Sequence, residues 1–125
     1  MRFFNDVFRA ALIGILVSGG LLLSAQASFA HAILVEATPT PNSKVAGPDV
    51  AIRLKFNSRI DSDRSRLTLA LPDGSTRKLD IQPQKSPDTL TSQASGLNAG
   101  TYKIKWQVLA VDGHVTRGEL SFEIG

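Results

Sequence analysis

Beyond residue 30 the chain alternates apolar and polar side chains with a period of two, in short rows separated by Gly, Pro, Asn or Asp. Val50, Ile52, Leu54 and Phe56 form one row, and Leu67, Leu69 and Leu71 the next. Leu71-Pro72-Asp73-Gly74-Ser75 reads as a turn leading to a short strand that carries Leu79 and Ile81. Thr89 to Gln93 predicts another strand, Tyr102, Ile104, Trp106 and Val108 make the longest row, and Leu120, Phe122 and Ile124 close the chain. With an opening strand near Ile33 to Ala37, about seven short strands are expected and no helical period competes. Pro39-Thr40-Pro41-Asn42 ends the first strand, and Asn57 to Ser65 reads as a longer polar loop. A strand with one apolar face needs a second sheet to cover it. The expected architecture is therefore all-β, an antiparallel Greek-key β-sandwich of the immunoglobulin-like kind.

Residues 1–30 have a different character. Arg2 and Arg9 precede 21 residues, Ala10 to Ala30, with no charged side chain, and small residues follow the apolar run. This is the layout of a secretory signal peptide, which predicts export and, with removal at Ala30, a mature domain over 31–125. The same stretch is just long enough to cross a bilayer as an uncleaved anchor. Cleavage after Ala27 would leave Ser28 first, and cleavage after Ala30 would leave His31 first.

Composition narrows the chemistry. The 125 residues include no cysteine, which excludes disulfides, thiolate metal centres and cysteine nucleophiles. Without Arg2, Arg9 and Asp6 the expected domain holds 12 Lys/Arg against 10 Asp/Glu. A nucleic-acid face is more basic and more clustered than this. Arg53, Lys55, Lys103 and Lys105 fall on the polar sides of their rows and read as solvated surface, whereas Trp106 is in phase with the core.

The only histidines are His31 and His114. If His31 becomes the first residue, its free α-amine and ring Nδ1 can close a chelate on one metal ion, and an α-amine deprotonates more easily than a lysine amine. In Val111-Asp112-Gly113-His114-Val115, an extended chain would point Asp112 and His114 to the same side. Three nitrogens and one oxygen suit Cu(II) in tetragonal geometry. Cu(I) prefers sulfur, and the sole methionine, Met1, leaves with the leader. The plainer alternative is that Asp112-Gly113 is simply a hairpin turn, with His114 its exposed neighbour and His31 a residue left at a cleavage junction.

His31-Ala32, Thr38-Pro39-x-Pro41-x-Ser43, Leu54-x-Phe56, Ala99-Gly100-Thr101-Tyr102-x-x-x-Trp106, Asp112-x-His114 and Gly118-x-x-x-Phe122 together resemble the CopC family of periplasmic copper-binding proteins, across essentially all of 31–125. The resemblance implies a small β-sandwich that holds Cu(II) through His31, Asp112 and His114, with cleavage after Ala30. It also implies a CopD-type inner-membrane copper transporter as partner. The methionine-rich Cu(I) site of some members is missing, so the chain resembles the Cu(II)-only branch. Where some members carry a further Glu ligand this chain has Ser58, and that ligand is not carried over.

The expected function is copper sequestration or delivery in homeostasis or resistance, by binding without turnover. Two other classes compete. A copper monooxygenase would also use an N-terminal His chelate but needs an open coordination position. A metal-free sandwich used as an interaction module would need neither histidine.

Overall fold

The computed structural model describes residues 31–125, and the leader expected over 1–30 lies outside them. The described chain is all-β, with eight strands: β1 (Leu34–Thr38), β2 (Ser43–Val45), β3 (Val50–Phe56), β4 (Ile60–Ala70), β5 (Thr76–Leu79), β6 (Thr89–Ala94), β7 (Gly100–Ala110) and β8 (Val115–Ile124). They form a three-stranded sheet, β1-β3-β6, and a five-stranded sheet, β2-β8-β7-β4-β5. Consecutive strands repeatedly change sheet, as the Greek-key expectation requires, and the apolar rows meet between the layers. Leu54, Leu67, Leu69, Leu90, Ile104 and Val108 are completely buried there. Each such side chain contributes about 1.5–3 kcal/mol on leaving water, which lets a domain without disulfides hold together.

Two expectations need correction. The strand count is eight rather than about seven, because β2 pairs with the end of β8, and it does so in parallel. Three residues without an apolar row carry no periodic signal, so a partner's free edge decides whether they become a strand. The expected loop from Asn57 to Ser65 is shorter, since β4 starts at Ile60 and pairs with Ala110, and its register slips only between Asp61 and Arg66. In that slip side chains replace the ladder. Asp61 Oδ1 accepts the amides of Asp63 at 3.0 Å and Arg64 at 3.2 Å. The Ser65 hydroxyl donates to the Asp61 carbonyl at 2.6 Å and accepts from the Leu109 amide at 3.1 Å. The polar run thus satisfies its own backbone groups while remaining in the sheet.

The β7–β8 pair fixes the end of the sandwich that matters for function. Its register runs without a break from Gly100 opposite Ile124 to Leu109 opposite Val115. At the far end the Tyr102 ring stacks on Phe122 with centroids 5.5 Å apart, and its hydroxyl donates to the Asn98 carbonyl at 2.8 Å. This is the corner bond expected of an immunoglobulin-like sandwich. Midway, the Trp106 indole lies over Gly118 so closely that any Cβ there would overlap the ring. Trp106 is a core residue, as its phase predicts, and meets Phe56 edge to face.

Candidate metal centre

The unbroken β7–β8 register delivers the chain to a tight turn over Ala110 to His114. The Gly113 amide donates to the Ala110 carbonyl at 2.9 Å, and the Ala110 amide donates to the His114 carbonyl at 2.9 Å. Gly113 adopts a φ of 94°, which an L side chain resists. The hairpin reading of Asp112-Gly113 therefore holds, and the extended same-face geometry does not. The turn nevertheless joins the two side chains. Asp112 Oδ1 accepts the His114 amide at 3.1 Å and lies 3.3 Å from His114 Nδ1. The amide of His114, followed by its imidazole, holds the Asp112 carboxyl below the usual carboxylate range. Side-chain exposures of 61% for His114 and 40% for Asp112 leave the pair open to an incoming ion. Two adjacent donors at roughly 2 Å from a square-planar ion stand about 2.8 Å apart, so only a small adjustment separates this contact from a chelating one.

His31 is exposed, at the start of the described chain. The residues after it are held firmly. The buried Ala32 donates its amide to Thr116 Oγ1 at 3.3 Å, and Thr116 is two positions beyond His114 on β8. Ile33 is clamped by Asn57, whose side-chain oxygen accepts the Ile33 amide at 2.8 Å and whose own amide donates to the Ile33 carbonyl at 2.9 Å. This lashing brings the His31 end of the chain to the strand that begins beside the Asp112–His114 pair. Among the described residues no three His, Asp or Glu side chains stand close enough together to share an ion. Asp112 and His114 are thus brought together as a pair, and the His31 side chain does not complete a cluster with them.

Sequence reasoning missed Thr116 and Asn57, the residues that position the His31 end. A threonine on a strand and an asparagine after one have no local signal for such a role, since both act on a segment remote in sequence. Large exposed apolar side chains frame the same end: Val111 and Val115 flank the turn, and Ile33 and Val35 follow His31. The Val111 amide also donates to the Arg59 carbonyl at 3.2 Å, which ties the turn to the segment between β3 and β4.

Residues 34–125 match the family model described as the CopC domain. Asp112 and His114 lie inside the matched segment, and His31 lies just ahead of it. The chain is 31% identical over 101 residues to Protein YobA of Escherichia coli K12, covering 77% of this chain and 80% of that protein. It is 32% identical over 117 residues to Copper resistance protein C of Pseudomonas syringae pv. tomato, covering 87% and 91% respectively. The crystal structure of CopC from Methylosinus trichosporium OB3b is similar with a TM-score of 0.70 at 28% identity, covering 75% of this chain and 93% of that one.

Proposed function

The chain belongs to the CopC family, and from that premise we propose that it is an exported copper-binding protein. Its ligands for Cu(II) are the α-amine and imidazole of a His31 exposed by cleavage, the Asp112 carboxylate and the His114 imidazole. The observation that carries this reading is the convergence on β8: the turn holds Asp112 against His114, and Thr116, just beyond, holds the residue that follows His31. Nitrogen and oxygen donors in this ratio suit Cu(II). With Met1 the only methionine and no cysteine, a mature domain starting at His31 has no sulfur donor for Cu(I). In the full-length chain the His31 nitrogen is an amide bonded to Ala30, so removal of residues 1–30 creates one ligand and frees the imidazole to swing toward the pair.

The protein holds its ion without turnover and passes it on in the periplasm, in copper homeostasis or resistance. A CopD-type inner-membrane copper transporter is the receiving partner. Transfer by ligand exchange requires contact at the metal, and the exposed Ile33, Val35, Val111 and Val115 supply apolar surface around it. A copper oxidase function is disfavoured because Asp112 fills the fourth equatorial place that oxygen chemistry leaves open.

The test is a Cu(II) titration of protein beginning at His31 beside the same protein with one extra residue ahead of it. The first should bind at least tenfold more tightly, because only there does His31 own the α-amine. Equal affinities would remove the chelate from the site, and sustained formation of an oxidised product would replace the binding role with catalysis.

A further inference from the structure

The outer face of the five-stranded sheet collects charge that is scattered along the sequence. Lys44, Arg66, Lys78, Lys103, Lys105 and Arg117 are all exposed on it. The register makes them neighbours: Lys78 opposes Thr68, Thr68 opposes Lys105, Arg66 opposes Gln107, and Gln107 opposes Arg117. Half of the 12 Lys/Arg of residues 31–125 thus lie on one face of one sheet, whose strands carry four of the 10 acids, Glu119 and Glu123 on β8 and Asp61 and Asp63 at the start of β4. None of the six cations makes an ion pair among the described residues, although Lys105 stands opposite Glu119 and Lys44 opposite Glu123. Asp61, opposite Leu109 at the end of the sheet next to the β7–β8 turn, lies 3.9 Å from Arg64.

The cations on this face outnumber the acids of its strands in a larger proportion than in the near-balanced domain as a whole. The kind of partner follows from what accompanies the charge. A protein partner is held by aromatic and apolar anchors in a desolvated centre, and lysine is depleted at such interfaces. Here four of the six cations are lysines, and the nearest aromatic, Trp106, is turned into the core. A charged bilayer needs no anchors and no shape match. It attracts each nearby Lys or Arg independently, and a sheet about 20 Å across presents all six on one side.

We propose that the outer face of the five-stranded sheet is an electrostatic docking surface for a lipid bilayer bearing anionic headgroups. The metal pair sits at the end of that sheet, in the β7–β8 turn, so a domain lying on this face keeps Asp112 and His114 at its rim, open to a protein in the same membrane.

The experiment measures binding of protein beginning at His31, which contains both sheets and the described core, to vesicles of phosphatidylcholine mixed with phosphatidylglycerol. Binding should be strong at low ionic strength and weaken as the screening length falls to about 8 Å at physiological salt. Combining Arg66→Gln, Lys105→Gln and Arg117→Gln should lower it about a hundredfold, at about fivefold per cation. Lys44→Gln with Lys78→Gln, which leaves β7 and its neighbours in the sheet centre untouched, should lower it about twenty-five-fold. The control triple Arg53→Gln, Lys55→Gln and Lys85→Gln removes the same charge away from this face and should retain most of the binding. Equal losses in the two triples would overturn the proposal, because net charge rather than this face would then govern binding. Equal binding to pure phosphatidylcholine vesicles would overturn it as well. Tighter binding of soluble polyglutamate than of the mixed vesicles, at matched charge, would assign the face to an acidic protein instead of a membrane.

Discussion

Thr116→Val tests whether the hydrogen bond to Ala32 organises the metal site. Valine keeps the shape of threonine and suits a strand, so the perturbation is confined to one acceptor, Oγ1, 3.3 Å from the Ala32 amide. Ala32 is buried, at 3% exposure, and its amide would lose its partner where water has poor access. An unmet buried donor costs about 1–3 kcal/mol. The lower end applies here, because the two hydrogen bonds between Ile33 and Asn57 still hold the next residue in place and the chain end can shift toward water. About 1 kcal/mol charged to docking of the His31 segment is about a fivefold loss of copper affinity. Competition titration of Cu(II) against a colorimetric chelator reads this directly. Thr116→Ser, which keeps the hydroxyl, should bind more tightly than Thr116→Val, and the melting temperature of both should stay close to that of the parent. Wild-type affinity in Thr116→Val would refute the idea that this bond carries His31 to the site.

Three further outcomes follow from particular contacts. Gly118→Ala forces a Cβ into the Trp106 indole, and overpacking of this kind costs about 1–3 kcal/mol, so the melting temperature by circular dichroism should fall by at least about 5 °C; an unchanged melt would mean that the indole moves freely. Gly113→Ala meets no neighbouring atom but must adopt a φ of 94°, at a cost of about 1–2 kcal/mol; copper affinity and stability should drop together, and a loss of neither would show that the turn does not hold the pair. Asp112 has a depressed pKa, so whatever it contributes to stability is present above its unfolded value near 3.9 and is lost only as pH falls through the lower folded value. The nitrogen donors must shed protons to bind, so copper affinity measured by equilibrium dialysis should fall as the pH is lowered from neutral to mildly acidic; an unchanged affinity would contradict the ligand set.

Most of the fold was legible in the period-two rows. Every residue of the Val50 to Phe56 and Tyr102 to Val108 rows that alternation placed inward is buried. What alternation missed was decided by a partner strand: β2 exists because β8 has a free edge for it, and the Ile60 end of β4 exists because β7 continues opposite it. The site divides in the same way. Asp112-Gly113 was legible as a turn, and the turn brings Asp112 to His114. The clamp on the His31 end was not legible, since Thr116 is 84 residues from Ala32 and contributes one oxygen atom.

The sequence by itself determined which face of each strand is apolar, the absence of sulfur ligands beyond Met1, and the two histidines available as donors. Only the tertiary structure decided which strands lie side by side. It thereby decided that cations from positions 44 to 117 share one surface, and that the chain end at His31 is tied to the strand following His114. The physical reason is that side-chain direction along a strand is local, fixed by the backbone's period of two, whereas strand order and register come from packing two sheets around one core.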